Sequence, residues 1–544
     1  MNTDRAGGGF KMALNIESDV LVIGSGGAGL RAAIEAELGG ASVTVVSKAP
    51  AGMNNSTAVS GGGFRAPIGG LTREEYIRDT IEVGKGLNDR RLVEVMAGEG
   101  ERRLLELRSF GVDVKGREGG IYVEWRGGAR GMGLTIPLLK YVRSRGIRVL
   151  ENVIVTRLLL DGGRIVGAVG YDARGDRPMT FSSRAVILAT GGAGAIYRRT
   201  DCPVRTTGDG YSLAFEAGAP LRDMEFVQFY PIALAEEGAP IYLIGGYMTE
   251  EGRILNRLGE DIPEKHGVKA RPLALKSRDL LSRAVMMEIL EGRGIGGAVL
   301  LDAREPIRRL GEAGFFSTGP YGFFVDVLRA GDRPLKVAPV SHFCMGGVII
   351  DEDGATGVPG LYAAGEVVGG VHGANRHGGN ALTEAIVFGA RAGEAAASHT
   401  GSERPSPEIG RLASSELDRY RSIRGGGRGL TPEAVMGRLK EVMWEKAGII
   451  RGEAGLRDAL AEVERMIGMQ GGLGASSGRE MLEALEASMA LRAAEMIIRS
   501  ALERRESRGA HYRVDYPDED QGWMKKVVIE RGEGGEMKLA LQPL

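Results

Sequence analysis

The strongest constraint on the fold lies near the start of the chain. Asp19 to Ile23 reads DVLVI, an apolar run of strand length, and it leads into Gly24-Ser25-Gly26-Gly27-Ala28-Gly29. The residues that follow, LRAAIEAELGG, have helical spacing, and a second strand pattern covers Ala41 to Val46. Strand, G-x-G-x-x-G, helix and strand in that order describe a dinucleotide-binding unit. Gly24 permits the tight turn, Gly26 lets the backbone approach a pyrophosphate, and Gly29 lets helix and strand pack closely. The helix N-terminus at Gly27-Ala28 then offers unpaired N–H groups and a partial positive charge to the phosphates. At the end of the second strand, Ser47-Lys48 stands where an acidic residue usually holds a ribose hydroxyl. A serine hydroxyl still bonds a ribose, so this counts against a plain NAD site more than against nucleotide binding.

Composition bounds the rest. Glycine makes up 87 of 544 residues, well above a usual ~7%. No three-residue period accompanies it and 43% of residues are hydrophobic, which excludes collagen and low-complexity linkers. With 70 Lys+Arg against 71 Asp+Glu, nothing points to nucleic acid or an anionic membrane. Two cysteines, Cys202 and Cys344, exclude a disulfide framework and are too few for an iron–sulfur cluster, and no metal site is assigned. No apolar run reaches the ~18 residues of a membrane span, and Met1 to Ser18 is too polar for a signal peptide. The expectation is a cytoplasmic protein without direct membrane insertion. Residues 1–11 are expected as a disordered tail, with Met12 as an alternative start.

Two more strand patterns run into glycine far downstream: RAVILATGGAG (Arg184 to Gly194) and GLYAAGEVVGG (Gly360 to Gly370). The three segments together resemble the FAD-binding scaffold of many flavoproteins. Six further segments sharpen this: STAVSGGGF (Ser56 to Phe64), TGDGYSLAFEAGA (Thr207 to Ala219), MEFVQFYP (Met224 to Pro231), SRDLLSRA (Ser277 to Ala284), HFCMGGV (His342 to Val348) and HGANRHGGNAL (His372 to Leu382). Their order resembles the fumarate reductase/succinate dehydrogenase flavoprotein family, which includes L-aspartate oxidase. ESRGAHYRVDYPDED (Glu506 to Asp520) resembles that family's C-terminal helical domain. The implied fold is α/β, a Rossmann-like FAD-binding domain with an inserted α+β capping domain and a C-terminal helical domain. The expected boundaries are a FAD domain over 12–232 and 340–400, a capping domain over 233–339, and a helical domain over 401–544. Ser402 to Glu408 reads as the linker into the last, and Gly425 to Gly429 as a loop within it.

The resemblance implies FAD as cofactor, held by Gly24, Gly26, Gly27, Ala28, Gly29, Ser47, Lys48, Ser56, Thr57, Gly61, Gly62, Gly63, Val155, Ala189, Thr190, Gly191, Asp209, Glu366, Arg376, Asn380, Ala381 and Leu382. It also implies a dicarboxylate substrate, with His342 and Arg376 holding carboxylates and Arg278 passing the proton while flavin N5 handles the hydride. Arginine is a weak acid, so Asp279 beside it is a candidate relay. Electrons would pass to a separate iron–sulfur subunit, through which any membrane attachment would run.

Three departures from the family pattern matter. Asn54-Asn55-Ser56-Thr57 lacks the histidine that carries covalent FAD, so non-covalent FAD is expected. Tyr230 replaces a histidine that grips one carboxylate, and YLIGG ending at Gly245-Gly246 stands where the family has RGEGG, leaving Thr249 and Glu250 in a following hairpin. The first functional reading is a fumarate reductase/succinate dehydrogenase flavoprotein subunit. The alternatives are L-aspartate oxidase, and a flavoprotein with an altered site that acts on another acid or is non-catalytic.

Overall fold

The computed structural model describes residues 11–126, 128–312, 333–400, 408–426 and 430–544. The tail at 1–10, most of the expected linker at 402–407, and 427–429 of the expected glycine loop lie outside these. The helix before that loop, Ile409–Gly425, runs through its first glycine.

DVLVI becomes the middle of a five-stranded parallel sheet. The order is Leu361–Ala363, Ala185–Leu188, Val20–Ile23, Val43–Ser47, Arg148–Glu151. The inner strands are apolar on both faces because helices and a second sheet cover them, as parallel sheets require. The strands of the two downstream glycine segments lie together on one side of the first, and all three strand ends open at one edge of the sheet. Helix Gly27–Leu38 packs on helix Asn380–Thr400 through small residues. A methyl group on Gly389 would lie 2.7 Å from the carbonyl oxygen of Ala28, and one on Gly393 2.4 Å from that of Ala32. That close crossing brings a segment from late in the chain against the first glycine turn.

A second sheet, Leu14–Glu17, Arg177–Ser182, Arg164–Asp172 and Val153–Asp161, backs this unit. The third sheet belongs to the insertion: Val227–Leu234, Leu335–Cys344, Val299–Asp302 and Arg253–Leu255. It has its own core, including Ile232, Ile244, Leu281, Val299 and Val337. Its two long strands run out of that core toward the FAD unit and pair with a register shift between Gln228 and Phe229. The insertion corrects one expectation. Thr249 and Glu250 sit in a short helix, Gly246–Glu251, rather than a hairpin.

Four helices, Ile409–Gly425, Pro432–Lys446, Glu453–Gly468 and Gly478–Glu503, form the C-terminal unit, the last buried along most of its length. The chain then turns into a hairpin, Lys525–Arg531 with Met537–Pro543, whose first strand pairs with Leu221–Arg222. Between helix and hairpin, the ESRGAHYR segment forms a buried ionic network. Arg504 bonds Glu225 and, at 3.0 Å, Glu506, which also takes Arg508 at 2.8 Å. Arg451 donates to the carbonyl of Glu225 at 2.7 Å and contacts His511 at 2.7 Å. Charges this deep persist only when paired, so the motif clamps the helical unit onto the segment preceding Gln228.

Candidate active site

The turn after the first strand is built as its glycines require. Gly24 has φ +117°, and a methyl group there would lie 2.1 Å from the carbonyl oxygen of Ala189. A methyl on Gly29 would meet the carbonyl oxygen of Gly24 at the same 2.1 Å. Gly26 differs: its nearest protein neighbour would be Thr57 Oγ1 at 3.5 Å, so its open side faces the cavity. Helix Gly27–Leu38 has no side-chain N-cap, leaving a first turn with free donors. The N–H of Gly27 donates to Thr57 Oγ1 at 3.1 Å, tying the second glycine segment to the first.

These groups line one cavity of about 1200 Å³, room for a dinucleotide and a small substrate. Of the residues expected to bind cofactor, all but Gly29 and Asn380 are on its wall. Gly29 serves helix–strand packing. Asn380 is fully buried and its amide donates to Thr80 Oγ1 at 3.0 Å, so it anchors the helix that presents Ala381 and Leu382. The cavity suits FAD in its chemistry. A glycine cradle with free N–H groups lies on its wall, and the hydroxyls of Ser56 and Thr190 are buried there with no hydrogen-bond partner among the described residues.

Lys48 reaches the wall, but its ammonium is already engaged. It lies 2.6 Å from Asp209, 2.7 Å from Glu486 and 2.8 Å from Thr207 Oγ1. Burial opposes the charge, yet the two carboxylates win and hold the pKa above the usual lysine value. Glu486 comes from helix Gly478–Glu503 and also pairs with Arg205 at 2.9 Å, so this cluster joins the C-terminal unit to the nucleotide end. Ser47 likewise receives the hydroxyl of Ser25 at 2.9 Å.

At the other end stand Arg278, His342 and Arg376, brought together from a helix, a strand and a loop. Arg278 opens helix Arg278–Leu290, with Nε donating to the carbonyl of Ala274 at 2.7 Å. One atom fixes both arginines: Gln228 Oε1 accepts from Arg278 and from Arg376, each at 3.1 Å. The amide nitrogen of Gln228 donates to Asn375 and to the carbonyl of Arg376, which locks its orientation. Arg278 lies 5.1 Å over the Tyr230 ring, and Arg376 4.5 Å over that of Phe343. Among the described residues, neither guanidinium has a carboxylate within ion-pair distance. Burial, with Arg278 as like-charged neighbour, lowers Arg376 to about 9, and burial lowers Arg278 too. Two buried cations sharing a neutral oxygen form a site for an anion.

His342 bonds through Nδ1 to Asp201 at 2.8 Å. Burial and the two arginines lower its pKa despite Asp201. Asp279 is not on the wall; its charged neighbours are Lys85 and Arg283, one helical step away from the site. The acid on the wall that bonds His342 is Asp201, whose Oδ1 is buried and has no hydrogen-bond partner among the described residues. Nothing local in the sequence marks Asp201, since strand pairing across 141 residues brings it to His342. Local sequence likewise assigns no role to Gln228, Arg65 or His377, although Gln228 lies within MEFVQFYP. Burial and then Arg65 hold His377 down to about 4. Glu366 lines the cavity with its carboxyl pushed by burial up to about 7. Both thiols are buried: burial raises Cys202 well above its ordinary value and Cys344 to about 12, which keeps them protonated.

The FAD binding domain family matches residues 19–382, two thirds of the chain, and the fumarate reductase flavoprotein C-terminal family matches 436–544. The chain belongs to the fumarate reductase/succinate dehydrogenase flavoprotein family. One subunit of the fumarate reductase (CoM/CoB) of Methanothermobacter marburgensis is 35% identical, over 95% of this chain and 97% of that one. The L-aspartate oxidase of Caulobacter vibrioides is 34% identical over 96% and 98%. Among solved structures, an E. coli quinol fumarate reductase covers 98% of this chain and 97% of its own, with a TM-score of 0.86 and 26% identity. The family is one of FAD-dependent oxidoreductases acting on CH–CH bonds, and the chain is such an enzyme. Among the described residues no helix is long and apolar enough to cross a membrane.

Proposed function

We propose that the chain is the flavoprotein subunit of a fumarate reductase or succinate dehydrogenase-type enzyme, acting on the carbon–carbon bond beside the carboxylate of a small unsaturated acid. The observation that carries this is the pair of buried guanidiniums, with no carboxylate within ion-pair distance among the described residues, opening on the same cavity as the glycine cradle. FAD, when bound, supplies the hydride donor or acceptor. Gly24, Gly26 and the first turn of helix Gly27–Leu38 hold its phosphates, while Ser56 and Thr190 offer hydroxyls. Arg376 binds the substrate carboxylate and polarises the adjacent double bond. Gln228 keeps Arg278 beside it, and Arg278 gives or takes the proton at the substrate carbon. Burial weakens the hold of Arg278 on that proton, which is what an arginine acid requires. Asp201 orients His342 and is the nearest candidate to reload Arg278.

Ser56 stands where covalent attachment would need a histidine, so FAD is held without a covalent bond. Electrons pass to or from a separate iron–sulfur subunit, since the chain's two buried thiols cannot hold a cluster. The second reading, L-aspartate oxidase, is favoured by Ser56 and by the similarity to the Caulobacter enzyme. The test is to purify the chain with FAD, precipitate it with acid, and assay reduced viologen with fumarate and ferricyanide with succinate or aspartate. Yellow supernatant and fumarate or succinate turnover are expected. Flavin retained in the pellet contradicts non-covalent attachment, aspartate turnover alone moves the assignment to the second reading, and no turnover of any of the three refutes both.

A further inference from the structure

We infer that the site has a second oxidation open to it, that of a 2-hydroxy acid to a 2-oxo acid, with His342 Nε2 taking the hydroxyl proton while Arg376 holds the carboxylate. This rests on the reading above, which supplies FAD and the carboxylate grip, and it adds a substrate class. The observation behind it is the way the imidazole is held. Its Nδ1 lies 2.8 Å from Asp201 Oδ2, and an ionised carboxylate only accepts, so the ring hydrogen sits on Nδ1. Nε2, across the ring, has no hydrogen-bond partner among the described residues, and the residue lines the cavity. A neutral His342 therefore shows the cavity a lone pair rather than an N–H. That lone pair repels a carboxylate oxygen and pairs with a donor such as a hydroxyl.

The groups around the ring keep it neutral and leave that lone pair free. Burial, with Arg376 and Arg278, lowers its pKa against the pull of Asp201. Tyr230 stands edge-on, with 5.6 Å between ring centroids, and its hydroxyl is spent on the carbonyl of Ile244 at 2.8 Å. The Cys202 thiol goes to the backbone carbonyl of His342 at 3.5 Å, and Glu366, on the same wall, accepts the N–H of Cys344 at 3.1 Å. The two arginines also separate a hydroxyl from an ammonium. Both are donors, but an ammonium would bring a third cation beside a pair with no carboxylate in ion-pair distance among the described residues. In the reaction the C2–H bond breaks and its electron pair goes with the hydrogen, as hydride, to bound FAD. The O–H bond breaks, its proton goes to Nε2, and the carbon–oxygen double bond forms. Asp201 stabilises the imidazolium that results, and the electrons leave by the acceptor already assigned to the flavin.

The test is anaerobic mixing of the FAD-loaded protein with lactate or malate, following the loss of flavin absorbance and trapping the 2-oxo acid with phenylhydrazine. Bleaching is expected, slowed at least twofold by deuterium at C2 and unchanged by deuterium at C3, where carbon–carbon dehydrogenation would also break a bond. Its second-order rate should rise about tenfold per pH unit below the free pKa of His342 and then level off, because the base must be unprotonated. His342→Gln should lower that rate at least 100-fold, and the wild-type isotope and pH results stand even if the variant loses FAD. Calorimetric titration at pH 8, in two buffers of different ionisation enthalpy, reads the same lone pair without turnover. Fumarate binding to the oxidised protein should take up a proton, and lactate binding to the reduced protein should take up none. No bleaching by either hydroxy acid in a protein that turns over fumarate or succinate, a C3 isotope effect, or a rate that falls with pH overturns the inference and leaves the functional reading intact. Bleaching by aspartate alone overturns it in favour of the second reading. Bleaching by the hydroxy acids without turnover of fumarate or succinate upholds the inference and overturns the first reading, and no reaction with any of these acids overturns both.

Discussion

Lys48 offers a direct test of whether side-chain electrostatics here serve the fold or the cofactor. Its ammonium sits between Asp209 and Glu486 at 2.6 and 2.7 Å, and the three side chains are only 15%, 9% and 9% exposed. Lys48→Met keeps the length of the stem and removes the charge, leaving two carboxylates buried together. Glu486 keeps Arg205 at 2.9 Å, but Asp209 keeps no cation within ion-pair distance among the described residues, and stranding one charge of a buried pair costs about 3–5 kcal/mol. For a cooperative unit of ordinary domain size that is a fall of roughly 6–20 °C in melting temperature. The signs are definite. Lys48 has a folded pKa above its unfolded value, so its contribution is complete below the unfolded pKa and is lost as pH rises through the folded one. Thermal melts of the FAD-free protein at pH 7, below both the unfolded and the folded pKa of Lys48, read out the full loss. Lys48→Met/Asp209→Asn should recover a good part of the loss, since the stranded charge is gone. A Lys48→Met protein that melts like wild type without FAD, yet binds FAD weakly, would refute the assignment and return Lys48 to the nucleotide.

Four other outcomes follow from the site. Arg278→Lys should leave FAD binding and the melting temperature near wild type while lowering turnover at least 100-fold, since an ammonium cannot bond Ala274 and Gln228 together as the fork does; flavin loss would show a structural role instead. Gly24→Ala, with its methyl 2.1 Å from a carbonyl oxygen and φ at +117°, should impair folding of the FAD-free chain. Gly26→Ala, whose methyl meets no protein atom closer than 3.5 Å, should fold normally and lose FAD affinity, as equilibrium titration would measure. Finally, His342 has a depressed pKa in the free site and gains a proton beside a bound carboxylate, so KM should rise with pH above the free value; a flat profile, or the same slope in His342→Gln, contradicts its part in binding.

Much of this was legible from residues alone, and the exceptions share one cause. The glycine turn, the three strands entering it and the order of motifs were readable because a backbone that must avoid a Cβ leaves its mark within a few neighbouring positions. The cavity gathers Arg278, His342 and Arg376 as motif order implied, yet the acid beside them is Asp201 rather than Asp279. Adjacent residues on a helix point about 100° apart, so sequence neighbourhood misled there. Thr249 and Glu250 went into a helix because Gly245-Gly246 opens one, and the final hairpin was missed inside a stretch dominated by helical spacing.

What the chain's order of residues decided by itself is the dinucleotide turn, the FAD-type scaffold and the family, all of which rest on local backbone needs. What only the tertiary structure decided is which partner each charged group takes. Lys48 meets Glu486 from a distant helix, and Gln228 bridges two arginines far apart in the chain. Charge pairing and pocket polarity depend on distances in space, and folding sets those distances without regard to separation along the chain.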